Sequence, residues 1–141
     1  ASAMALSRAQ SRHGTKSALF APELGIARAW RLFTIGDWPA AIAATRGAAR
    51  MAARGGQYAI AVRVWHESAR LGDRRAADGI ASIAGQVPCA YTDMARAHAR
   101  ALTAGDAAGL ADAAARLAAA GFSGAAADAA RQADDAAPLL P

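Results

Sequence analysis

A chain of 141 residues that is about one-third Ala, 55% hydrophobic and only 6% aromatic must build its core by packing many small side chains closely. Ala is the strongest helix former and β-branched residues are scarce, so the composition excludes a substantial sheet and points to a single all-α domain. The net charge of +5 is almost all Arg and is uneven: residues 1–70 carry ten basic and three acidic groups, residues 71–141 six and eight.

Residues 1–20 show no sustained period and read as a flexible tail or the remnant of a preceding helix. Helical periodicity starts at Pro22 and spans 22–35, with Ile26, Ala29, Trp30 and Phe33 on one face. Gly36 can take the left-handed conformation that closes this helix. Asp37 can then cap the next one, and Pro39 falls in its first turn, where a missing N–H costs little. That second helix, 38–54, turns Trp38, Ala41, Ile42, Thr45, Ala48, Ala49 and Ala52 inward, and Gly55-Gly56 ends it. A third, 57–71, has Tyr58, Ala61, Val62, Trp65 and Ala69 as its inner stripe, and a fourth, 74–86, has Ala77, Ile80, Ala81, Ile83 and Ala84. Pro88 marks the next break. Helices over 89–104 (Met94, Ala97, Ala101, Leu102) and 107–120 (Leu110, Ala114, Leu117) follow, and Gly121 stops the second. A last helix, 123–135, caps the array; Asp134 and Asp135 oppose its dipole and favour fraying. Residues 138–141 read as a disordered tail.

The Gly36-Asp37 pair returns as Gly72-Asp73 and Gly105-Asp106, spaced 36 and 33 residues apart. Helical hairpins at this period describe tetratricopeptide-like repeats, an α-solenoid of about seven helices over residues 21–137, with a simple up-down bundle as the alternative. The first repeat fits best: Ala29 supplies the small residue where two helices cross, and Trp38 follows Gly-Asp as an aromatic. Later repeats depart from it, with Trp65 and His98 at the small-residue position and Arg74 and Ala107 at the aromatic one.

Motifs for chemistry are absent or broken. The stretch Gly14-Thr15-Lys16-Ser17 lacks the glycines and the preceding strand of a phosphate loop. His66-Glu67 is followed by Arg70 where a zinc-protease helix needs its second His, and His13, His66 and His98 lack ligands at metal spacing. No nucleophile triad or carboxylate pair stands out, so a non-enzymatic protein without cofactor or metal is expected. Cys89 is alone, which excludes a disulfide framework and suits a reducing cytoplasm; just after Pro88 it could start a helix, but a small buried hydrophobe is the plainer expectation. The apolar run 107–122 is interrupted by Asp112 and Arg116 and cannot span a bilayer. Arg46, Arg50 and Arg54 recur every four residues and line one helix face, which could contact phosphate but is expected to be a solvated face. Sequence-specific DNA reading would call for Asn or Gln on a recognition helix, and the chain has no Asn.

In a tetratricopeptide-like stack the first helix of each pair lines the concave surface. Those helices carry Arg28 and Arg31, then Arg63, His66 and Arg70, then Arg96, His98 and Arg100, against only Glu23, Glu67 and Asp93. Arg28, Arg31, Arg63, His66, Arg96 and Arg100 are therefore the candidate partner-binding residues, in a basic groove suited to an anionic inducer or acidic peptide. Local pairing, as of Arg63 with Glu67 one turn on, is the competing expectation.

Pro22-Glu-Leu-Gly-Ile-Ala-Arg-Ala-Trp, Ala48-Ala-Arg-Met-Ala-Ala-Arg-Gly-Gly-Gln and Trp65-His-Glu-Ser-Ala-Arg-Leu-Gly-Asp read as successive helices of one protein type. Ala97-His-Ala-Arg-Ala-Leu-Thr-Ala-Gly-Asp-Ala-Ala-Gly-Leu, Gly121-Phe122 and Ala125-Ala-Ala-Asp-Ala-Ala continue it. Residues 20–135 thus resemble the helical-repeat region of large actinobacterial LuxR-type ATP-dependent transcriptional regulators, relatives of the maltose-regulon activator. The resemblance implies a cytoplasmic regulatory scaffold, flanked in its parent chain by an ATPase and a DNA-binding domain. It would receive a protein partner or a small anionic inducer, and self-association is a further possibility. The alternative is a nucleic-acid-binding module using the basic first half; a membrane partner is not expected.

Overall fold

The computed structural model describes residues 21–138. The readings made for residues 1–20 and for 139–141 lie outside the described residues. Seven α-helices are found among the described residues and no strand. They are α1 (21–34), α2 (Trp38–Arg54), α3 (Tyr58–Arg70), α4 (Ala76–Ile83), α5 (Ala90–Ala104), α6 (Ala107–Ala119) and α7 (Ser123–Ala136). A 3₁₀ turn, Ala84–Gln86, extends α4. Each expected helix is present with ends shifted by at most a few residues.

The turns explain why. Gly36, Gly56, Gly72, Gly105 and Gly121 all have positive φ. Each sits between the same two backbone hydrogen bonds, as where Asp37 N–H reaches Leu32 C=O at 2.9 Å and Gly36 N–H reaches Phe33 C=O at 3.0 Å. This closure satisfies carbonyls that a helix end leaves free, and only glycine adopts it without strain. Five of the six helix-to-helix connections use it; the connection from α4 to α5 runs through the 3₁₀ turn and Pro88 instead. Two of the three Gly-Asp aspartates are N-caps: Asp37 accepts from Ala40 N–H at 3.3 Å and Asp106 from Gly109 N–H at 3.0 Å.

Asp73 departs from its two counterparts. It is buried, and accepts from Arg46 Nε (2.8 Å) on α2, Ser68 Oγ (2.7 Å) on α3 and the Arg75 N–H (3.0 Å). Thr45 on α2 in turn donates to Ser68 at 2.8 Å. Burial by itself would raise the Asp73 pKa, but the hydrogen bonds from Arg46 and Ser68 outweigh it and hold the carboxyl below its usual value. Arg46 is therefore tied to a neighbouring turn. Arg50 lies over the Trp65 ring at 5.8 Å, so the Arg46–Arg50 face is not simply solvated.

The core is alanine-rich, with Ala41, Ala49, Ala61, Ala69, Ala95, Ala99 and Ala129 fully inaccessible, and is filled out by Val62, Val64, Ile80, Leu110 and Leu117. Trp65 stands 36 residues after the buried Ala29, and there the small residue is on the opposing helix. A Cβ on Gly79 of α4 would stand 2.3 Å from the Trp65 ring. Two inward assignments are corrected. Trp38 is 58% exposed and stacks on Phe33 at 5.6 Å, because Phe33 and Trp38 flank the α1–α2 turn. Ala81 is exposed, because the buried face of α4 runs through Ala76, Ile80 and Ile83. The last helix runs through Asp134 and Asp135, closed where Ala137 N–H meets Ala133 C=O at 3.0 Å. Among the described residues no helix is long and apolar enough to cross a membrane.

Candidate functional site

Side-chain hydrogen bonds link the odd-numbered helices on one side of the molecule. From α1, Trp30 Nε1–H donates to Glu67 Oε2 at 2.8 Å on α3. Arg70, also on α3, donates through Nη1 to Glu67 at 3.0 Å and through Nε to Asp128 of α7 at 2.7 Å. Its guanidinium lies 5.0 Å over the Trp30 ring. Arg63 forms a bidentate pair with Glu23 of α1, at 2.5 and 2.8 Å. The Glu67 partner offered by helical spacing is not taken, since Trp30 and Arg70 already occupy that carboxylate.

Beneath this layer runs a buried polar chain across α3, α5 and α7. Tyr91 Oη lies 2.7 Å from His66 Nδ1, His66 Nε2 lies 2.9 Å from His98 Nδ1, and His98 Nε2 lies 2.6 Å from Gln132 Oε1. Gln132 fixes the direction at one end of it. Its Nε2 donates to the carbonyls of Ala69 (2.8 Å) and Arg70 (3.3 Å), which only an amide nitrogen can do, so its oxygen faces His98. His98 must then donate from Nε2. With both imidazoles neutral, His98 accepts at Nδ1, His66 donates from Nε2 and accepts at Nδ1, and Tyr91 donates, so each hydrogen bond points the same way. Burial, the neighbouring His98 and the Arg70 charge push the His66 pKa down to about 3, and burial lowers that of His98. No buried side-chain polar atom is left without a partner among the described residues.

Above the Tyr91 end the chain opens on a cleft of about 560 Å³ between α3, α5 and the α6–α7 turn. Arg63, Glu67, Arg70, Tyr91, Phe122 and Gly124 border it. Phe122 is 40% exposed there, with its ring 5.1 Å from that of Tyr91.

Of the six residues expected to bind a partner, Arg63 and His66 meet at this cleft, although His66 is buried beneath it and is a link in the chain. Arg100 borders a separate hollow with Asp106, Asp112 and Arg116. Arg28, Arg31 and Arg96 are exposed and border neither. The six do not form one basic groove: Arg63 is paired with Glu23, His66 is buried, and the other four lie away from this cleft. Sequence reasoning missed Tyr91, Phe122 and Gln132. Only tertiary packing shows that His66 and His98, 32 residues apart, share a hydrogen bond.

Cys89 is exposed, contrary to the buried hydrophobe expected. The extended backbone after Pro88 makes it the N-cap of α5, with Sγ 3.4 Å from Thr92 Oγ1. Hydrogen bonding to Thr92 lowers its pKa. No His, Cys, Asp and Glu cluster able to hold a metal ion occurs among the described residues. No family model, curated protein or solved structure matches the chain.

Proposed function

We propose that this chain is a non-enzymatic regulatory scaffold, a helical-repeat segment whose cleft between α3, α5 and the α6–α7 turn receives a small inducer or a protein partner. On the resemblance to LuxR-type ATP-dependent regulators, such a segment would work in the cytoplasm, within a parent chain that also carries an ATPase and a DNA-binding domain. The observation that carries the reading is the double placement of Tyr91: it borders the open cleft and also heads the buried chain to α7. A ligand that takes the Tyr91 hydroxyl as donor withdraws it from His66 and leaves a buried nitrogen unpaired. That is costly enough, at about 1–3 kcal/mol, to favour repacking. Occupancy of the cleft is thereby coupled to how α7 seats on α3 and α5.

The test is a screen of small carboxylates, phosphates and acidic peptides against the ¹⁵N-labelled protein. Amide shifts at residues 121–125, accompanied by shifts around Gln132, are the expected result. Binding to arbitrary duplex DNA that falls steeply between 50 and 200 mM salt, with those amides unmoved, would replace this reading with the nucleic-acid module.

A further inference from the structure

We infer that the cleft is a site for a small aromatic carboxylate, its flat body against Phe122 and Tyr91 and its carboxylate at Arg70. This rests on the ligand-receiving reading above and names the ligand class. The volume, about 560 Å³, is that of small-molecule sites, which run from roughly 300 to 1,000 Å³. Two kinds of surface line it.

The first is aromatic. Phe122 is among the few large hydrophobic side chains left exposed, and it stands inside a concavity rather than on a convex face. Its ring and that of Tyr91 meet at 46°, which leaves the exposed Phe122 surface to be covered by a third aromatic body.

The second is a surplus of hydrogen-bond donors. Arg70 spends Nε on Asp128 and Nη1 on Glu67, while Nη2 has no acceptor among the described residues. Glu67, the carboxylate in the lining, already receives hydrogen bonds from Trp30 and Arg70. Phe122, at the N-cap of α7, offers no side-chain acceptor, so the amides of Ser123, Gly124 and Ala125 have none among the described residues. Arg70 Nη2 lies close to this helix end: a Cβ on Gly124 would stand 3.1 Å from Nη2. Donors from both, beside an aromatic floor, match a planar anion with two acceptor oxygens. Glu67 and Asp128 offset the Arg70 charge, so recognition rests on the open N–H donors, and a phosphate dianion meets more repulsion than a monoanion.

The test uses the full chain with 2-naphthoate as probe, and 2-naphthamide and inorganic phosphate as controls, followed by titration calorimetry. Saturable 1:1 binding of 2-naphthoate is expected, with both controls at least tenfold weaker. Gly124→Ala narrows the gap to Arg70, and Phe122→Ala removes the floor. Each should weaken 2-naphthoate at least tenfold with the helical circular dichroism unchanged. Equal binding of naphthamide, tighter binding of phosphate, binding unaffected by Gly124→Ala, or no saturable binding would each overturn the inference. If 2-naphthoate fails while another ligand class from the screen still shifts the amides of residues 121–125, the ligand class falls and the receiving scaffold stands. If nothing moves those amides, both fall.

Discussion

Acid should weaken this fold between pH 7 and pH 5, and the buried histidine pair is the reason. His66 is neutral in the folded protein with its pKa at about 3, whereas an unfolded histidine titrates near 6.5. Below pH 6.5 the unfolded chain therefore binds a proton that the folded chain refuses, and stability falls as pH falls. The slope approaches about 1.4 kcal/mol per pH unit for each such group. Integrated from pH 7 to pH 5, His66 alone removes about 2 kcal/mol. His98, lowered in the same direction, adds to it. The hydrogen-bond chain limits any escape. One proton on His98 can be absorbed only if His66 changes tautomer and Tyr91 becomes an acceptor. Two protons would set N–H against N–H across 2.9 Å. Asp73, whose pKa is depressed, contributes stability that is lost only as pH falls below the unfolded carboxylate value, so pH 5–7 isolates the histidines. The assay is urea unfolding followed by circular dichroism at pH 7, 6 and 5, for the natural chain and for His66→Leu/His98→Leu. The double variant should be less stable at pH 7, because Tyr91 and Gln132 lose partners, but its stability should change much less with pH. A natural chain equally stable at pH 7 and 5, or a double variant with the same slope, would refute the neutral, directed chain.

Three further outcomes are expected. Gly79→Ala should destabilise by about 1–3 kcal/mol despite the better helix propensity of Ala, because its Cβ meets the Trp65 ring, and Trp65→Ala by about 3–5 kcal/mol; thermal melts measure both. Asp37→Ala should cost about 1 kcal/mol as a lost N-cap. Asp73→Ala should cost more, about 2–4 kcal/mol, because it strips partners from Arg46, Ser68 and the Arg75 N–H; equal losses in urea unfolding would contradict the distinct role of the second Gly-Asp pair. Cys89 should react stoichiometrically with a disulfide reagent in the native protein at neutral pH, and Thr92→Val should slow that reaction; protection until denaturant is added would contradict its exposure.

The sequence by itself determined the helices and where the chain turns. Helix formation depends on local propensity and spacing, and the left-handed closures at Gly36, Gly72 and Gly105 require a residue type that can be read directly. The closures at Gly56 and Gly121 use the same geometry, but Gln57 and Phe122 stand where the repeated Asp would be, so the repeat signal misses them. The three Gly-Asp pairs look equivalent in sequence. Only the packing of α2 and α3 around the second one buries Asp73 and gives it Arg46. Likewise, Trp65 and His98 register in the sequence as two breaches of one small-residue position. In the fold Gly79 accommodates the first, and His66 and Gln132 satisfy the second. The candidate cleft was barely legible. Its charged residues sit at recognisable helical positions, but whether an Arg is free depends on which carboxylate reaches it. Glu23 reaches Arg63 across 40 residues and Asp128 reaches Arg70 across 58, separations at which helical periodicity carries no information.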